Sequence, residues 1–205
     1  MPKTQVARIS KEQYLALQGP VTLPSPQQLF DQIVETLMAK GLAKYEHTDP
    51  FRKNLPNGLF LWIPPRPAEL DLNYLVSLIE VNGKKGGNQL NPKGLTDKVV
   101  VPEGPYLMTD VEDGKGHLNT RRSVSEANIL TEHRSPYIVF EGIMHGIVSP
   151  EVFASHNMYL CGSRDKSENV PDLYLCDGEP VLGVCLHDYA VPGWGAPSCG
   201  SRVGA

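Results

Sequence analysis

Apolar residues recur at helical spacing in several stretches of the chain and cluster in short runs elsewhere. Leu29, Phe30, Ile33, Val34, Leu37 and Met38 form one face of a 3.6-residue repeat. Ser25-Pro26-Gln27-Gln28 precedes it. Ser at the cap, Pro at the first helical position and Gln three residues after the cap make a full start signal, and Gly41 supplies the stop. The pattern predicts a helix over 26–40, with a shorter one at 11–18. Leu72, Leu75, Val76 and Ile79 mark a second helical face within 68–81. Ser123-Val124-Ser125-Glu126 reads as another capping box, opening a helix to about His133. Ser135-Pro136 and Ser149-Pro150 read as further helix starts, although Tyr137-Ile138-Val139-Phe140 is β-branched enough to form a strand instead.

Apolar runs bounded by turns predict strands at 59–63, 98–101, 106–111, 158–161, 173–176 and 181–186. Asp113-Gly114-Lys115-Gly116 predicts a hairpin from 106–111 onto 117–119, and Asp177-Gly178-Glu179-Pro180 a second between the last two strands. Gly83-Lys84-Lys85-Gly86-Gly87-Asn88 reads as a flexible loop. Helices come first, mixed elements follow and short strands end the chain. That order predicts an α+β fold, with N-terminal helices and mixed central elements packed on a small, mainly antiparallel sheet from the middle and C-terminal thirds. One domain over 1–205 is expected, with 1–45 as the alternative of a separate helical lobe.

Composition sharpens this picture. The 205 residues include 19 Gly and 18 Pro, above the roughly 12% that the pair averages yet short of disorder. They punctuate the chain into short elements. The longest gaps between them coincide with the helices, and the densest punctuation lies at 192–204. The net charge of -4 argues against a general nucleic-acid binder, which needs surplus Lys and Arg. No run approaches 18 apolar residues, so no membrane span is expected. The N-terminus lacks the apolar core of a signal peptide. A cytoplasmic location with reduced cysteines is therefore expected.

The candidate chemistry sits late in the chain. Cys161, Cys176, Cys185 and Cys199 form no CxxC pair. Cys185 and His187 are two apart on an expected strand and would share a face, with Cys199 near in sequence. A thiol with an imidazole base is one chemistry for them; a small buried hydrophobe is the commoner role of free cysteine. Zinc on Cys185 and His187 with a distant Cys161, Cys176, Cys199 or His156 lacks the usual tight local pairs, so no metal is expected. Cys-Gly-Ser-Arg occurs at 161–164 and again at 199–202. Its arginines, Arg164 and Arg202, are the preferred anion ligands; two matching strand-end turns are the plainer explanation of the repeat. Asp110, Glu112, Asp113 and His117 crowd one hairpin; Asp110 and Glu112 would share a face by strand alternation and could serve acid–base work, while a solvated turn with acidic ends is the plainer reading. Trp194, on the Gly/Pro loop 192–197, is either a plug or a binding platform.

Several segments resemble, in order and spacing, an uncharacterised bacterial family labelled a domain of unknown function. They are Phe30-Asp31-Gln32-Ile33-Val34-Glu35 with Leu37, Tyr106 to Gly114 with Leu118-Asn119, and Arg134-Ser135-Pro136 with Glu141-Gly142-Ile143. Gly162-Ser163-Arg164, Pro171-Asp172-Leu173, Leu182-Gly183-Val184-Cys185 and Ser198 to Gly204 are similar too. Val184 and Leu186 stand where the family often carries aromatics around the position of Cys185. The resemblance implies a shared bacterial fold and no mechanism.

Two functions remain. One is a non-catalytic binding or interaction module without cofactor. Its C-terminal loops, with Arg164, His187, Trp194 and Arg202, would meet an anionic small molecule or a protein segment. The other is a thiol-dependent hydrolase or transferase using Cys199 or Cys185 with His187. The sequence does not separate a monomer from a homodimer.

Overall fold

The computed structural model describes residues 24–205; the helix expected at 11–18 lies outside them. Helix α1 is Pro26–Ala39. Its start is the full capping box, the Ser25 hydroxyl accepting from Gln28 N–H and the Gln28 side chain accepting from Ser25 N–H. Strand β1 is Phe60–Ile63, α2 is Leu72–Ser77, and β2 to β5 are the two-residue strands Glu80–Val81, Lys84–Lys85, Gly87–Asn88 and Thr96–Asp97. Strand β6 (Tyr106–Thr109) precedes α3 (Arg122–Thr131), β7 (Ser135–Pro136) and α4 (Val139–Val148). The C-terminal third holds β8 (Asn157–Tyr159), β9 (Ser163–Arg164), β10 (Val170–Cys176), β11 (Glu179–Cys185), β12 (Trp194–Gly195), β13 (Ser198–Cys199) and β14 (Ser201–Gly204). The fold is α+β.

Two sheets carry it. The larger has the order β12-β8-β10-β11-β4, antiparallel at its centre and parallel at both edges. The smaller is the antiparallel β1-β6-β14. The β10–β11 hairpin turns at Asp177-Gly178, both with positive φ (51° and 79°), as a two-residue turn between right-twisted strands demands.

Helix α4 packs against α1, β1 and β10. Nine of its ten residues are buried, so it is apolar nearly all round, as an interior helix must be. The exceptions are Glu141 and His145, one turn apart. The Glu141 carboxylate is fully buried and accepts from Arg202 Nη2 (2.7 Å), Arg202 Nε, the Tyr106 hydroxyl (2.8 Å) and the Ile138 N–H (2.9 Å). Arg202 also donates to the Ser135 hydroxyl and to the Pro136 carbonyl (2.9 Å). One ion pair thus ties β14, β6 and β7 to the start of α4.

Several local expectations yield to longer-range partners. Residues 98–101 join no strand: Pro102 follows, Val100 is exposed, and pairing falls two residues earlier, Thr96–Asp97 against Ser163–Arg164. The hairpin onto 117–119 does not form. The Glu112 carboxylate accepts from Gly114 and Gly116 N–H (3.1 and 2.8 Å) and draws the chain into a 3-10 turn, Lys115–His117. The expected shared face of Asp110 and Glu112 is lost because Asp110 has φ +49°; its carboxylate turns out to Arg134. The capping box at Ser123 is absent, for Asp188 supplies the cap from 65 residues away, accepting from Ser123 N–H (3.0 Å) and its hydroxyl (2.6 Å). Residues 135–136 form a strand and Tyr137-Ile138 remain extended, so the helix expected there begins only at Val139. Ser149-Pro150 opens a short 3-10 helix, Pro150–Ala154. The expected flexible loop 83–88 is a tight hairpin, β2 on β3, followed by an edge strand on β11.

The buried pair sets a clear expectation. Truncating one partner strands a charge in the interior, which costs about 3–5 kcal/mol. Glu141→Leu and Arg202→Met should each lower unfolding free energy in urea by that order, while the double variant should regain most of the loss.

Candidate functional site

The outer face of the larger sheet gathers the most unusual set of side chains. Strand alternation puts Tyr159, Asp172, Tyr174 and Cys185 on this face, while Met158, Leu173 and Leu182 turn to the main core. Asp172 sits opposite Tyr159 on one side and Gly183 on the other. A Cβ at Gly183 would come 3.0 Å from Asp172 Oδ1 and 3.1 Å from the Tyr174 ring, so glycine there makes room for both. Trp194, half-buried on β12, stacks on Tyr159 (4.9 Å between centroids, 26°) and leans on Tyr174 (5.6 Å, 35°). The Trp194 loop is clamped: Asn119 N–H donates to the Trp194 carbonyl (3.0 Å), and Gly193 N–H donates to Asn119 Oδ1 (2.9 Å).

Arg122, at the start of α3, completes the group. Its Nη1 donates to the Cys185 carbonyl (2.8 Å), and its charge acts on Tyr159, Asp172 and Asp188. Asp172 is 4% exposed, and among the described residues its Oδ1 has no hydrogen-bond partner. Burial pushes its carboxyl up to about 7, against the opposing pull of Arg122. The Tyr159 hydroxyl is likewise buried without a partner. An acid that titrates near neutrality beside an arginine and a stacked indole can change the charge offered to a ligand.

The residues singled out in the sequence scatter around this face. Trp194 and Cys185 border it and pack on a small apolar cluster with Tyr159 and Cys161. Strand β11 ends at Cys185, so alternation does not carry to His187. The Cys185 thiol donates to the His187 carbonyl (3.1 Å), and the His187 ring lies against Tyr189 instead (5.6 Å). Cys199 is elsewhere, fully buried beside the Glu141–Arg202 pair, and burial pushes its thiol up to about 11. Arg164 donates to the Cys161 and Ser163 carbonyls (2.7 and 2.8 Å) and pairs with Glu126; Arg202 is bound to Glu141. Both arginines of the repeat thus point at structural partners. Arg122, Asp172, Tyr159 and Tyr174 were missed. A carboxylate inside the otherwise apolar strand 170–175 was the available signal.

The model of the family described as a family of unknown function, DUF5701, matches residues 26–198. The chain belongs to this family. The DUF5701 match runs from the first residue of α1 to Ser198, so it takes in the whole outer-face group and leaves Cys199 and Arg202 beyond its end. No curated protein and no solved structure matches the chain. Among the described residues, no helix is long and apolar enough to cross a membrane, and no group of three or more His, Cys, Asp or Glu side chains could hold a metal ion.

Asp172 carries a pH signature. Its folded pKa lies above the unfolded value near 3.9, so the folded state binds the proton more tightly. Its contribution is fully present below pH 4 and is lost as pH rises to about 7. Asp172→Asn should abolish that loss, gaining on the order of 4 kcal/mol over the wild type at pH 8 and little at pH 4, measured by urea unfolding across the range.

Proposed function

We propose that the chain is a non-catalytic binding module whose recognition surface is the outer face of the larger sheet. The reading rests on one observation: an indole stacked over buried Tyr159 stands beside Arg122 and Asp172, whose Oδ1 is buried without a partner. A planar ring suits the indole face, and an anionic group suits the guanidinium. The ligand class is therefore a small anion carrying an aromatic ring. Arg122 takes the anion-binding role that the sequence suggested for Arg164 and Arg202. Asp172 modulates it: protonated, it places no negative charge beside Arg122; ionised, it competes with the ligand's charge.

Adenosine monophosphate is a suitable probe, with a base for Trp194 and a phosphate for Arg122. Calorimetry should show saturable binding that tightens from pH 8 to pH 6. Arg122→Gln should weaken it at least about tenfold, and Asp172→Asn should flatten the pH dependence. Absence of saturable heat at millimolar ligand, or wild-type affinity in Arg122→Gln, would reject the reading.

A further inference from the structure

A second cleft lies on the far side of the main core, between α1, β1 and the end of α4. Its volume is about 450 Å³, within the range of small-molecule sites. Ile33, Phe60, Leu61, Val148 and Val152 give it apolar walls. His145 stands in that lining, 8% exposed. Among the described residues the ring makes no hydrogen bond; its Nδ1 is buried without a partner, and the ring lies 5.8 Å from that of Tyr137, whose buried hydroxyl is equally unpaired.

The contrast with its neighbours is informative. His156 is satisfied at both nitrogens, by the Ser155 hydroxyl (2.8 Å) and the Asp113 carbonyl (2.7 Å). Glu141, the other polar residue in the buried stretch of α4, has every carboxylate oxygen occupied. His145 alone of the three keeps an open valence, and leaving a buried polar group unpaired is costly.

The charges facing it limit the ligand. On the 111–117 segment, Asp113 is paired with Lys115 (2.7 Å). The segment after α4 adds Glu151, an acid, to the lining; α1 offers Gln32 and Thr36. Among the described residues no unpaired cation lines the cleft to receive an anion. Burial lowers the His145 imidazole to about 4, so the ring is neutral at physiological pH, with one N–H and one lone pair to offer.

We propose that the α1–α4 cleft is a binding site for an uncharged, largely apolar small molecule carrying one hydroxyl group, which hydrogen-bonds to His145. It is independent of the outer-face site and takes the opposite ligand chemistry.

The test uses 4-ethylphenol and ethylbenzene, with 4-ethylbenzoate as the charged control, on the full chain. Calorimetry should show 4-ethylphenol binding saturably and about tenfold more tightly than ethylbenzene, with 4-ethylbenzoate weaker than either. Nitrogen-15 spectra of the imidazoles should show His145 shifting on addition of 4-ethylphenol. His145→Leu should erase the preference for the phenol while keeping ethylbenzene. Thr36→Trp, a partly exposed change at the wall, should abolish both without lowering the melting temperature. Arg122→Gln should leave binding unchanged. Absence of saturable phenol binding, a phenol preference that survives His145→Leu, or an unmoved His145 resonance would each overturn the proposal.

Discussion

Helix α4 is buried on nearly every side, and this is the constraint around which the rest of the chain is arranged. An interior helix cannot leave its first N–H groups or a carboxylate to water. Glu141 lies in its first turn, so Arg202 must arrive from 61 residues further on to neutralise it. Ser163 arrives from the other copy of the Cys-Gly-Ser-Arg sequence, its hydroxyl accepting from Val139 N–H (3.0 Å) and donating to Asp97 (2.8 Å). The two tetrapeptides flank the extended lead-in to the helix: Gly162 N–H donates to the Tyr137 carbonyl (2.7 Å), while Cys199 pairs with Ser135. The repeat has a physical reason, which is to supply the buried helix start with polar partners from two directions.

That arrangement explains how much of the fold was legible. Features settled by neighbours in sequence could be read directly. The α1 capping box, the apolar run of β1 and the turn at Asp177-Gly178 each need only a few adjacent residues. Features decided by a distant competitor could not. Ser123 has the sequence of a capping box, yet its N–H goes to Asp188; Glu112 sits in a hairpin-like stretch, yet its carboxylate folds the next four residues into a 3-10 turn. Tyr137 to Phe140 reads as a strand because apolar runs buried all round look alike in helices and strands.

The candidate site was legible in its exposed parts and hidden in its buried ones. Trp194 stood out because an aromatic residue on a Gly/Pro loop needs a reason to be there. Arg164 and Arg202 stood out because of the repeat, but the residues that occupy them, Glu126 and Glu141, are 38 and 61 positions away. Asp172 gave the opposite problem. Its significance lies in having no partner, and a missing hydrogen bond leaves little trace in sequence beyond one carboxylate in an apolar strand. Arg122 gave still less, since an arginine before a helix is ordinary until the strand that packs beside it is known.

The distribution of unsatisfied polar groups separates framework from surface in this molecule. Both carboxylate oxygens of Glu141 are matched, and such a network holds its elements in one geometry because breaking any contact exposes a buried charge. Some partnerless buried atoms sit singly on different elements, those of His47, Trp62 and Ser125 among them. Asp172 Oδ1 and the Tyr159 hydroxyl instead belong to paired residues on one face of adjacent strands, where the Tyr159 ring carries an indole that is only half covered. His145 Nδ1 lies one helical turn from the most fully satisfied carboxylate in the chain. A fold that invests two repeated sequences in satisfying the start of α4 while leaving His145 open has not run out of polar partners, since His156 nearby has two. The open valences therefore belong to places where the chain itself does not supply the partner, and that makes them the positions at which a molecule from outside gains most by binding.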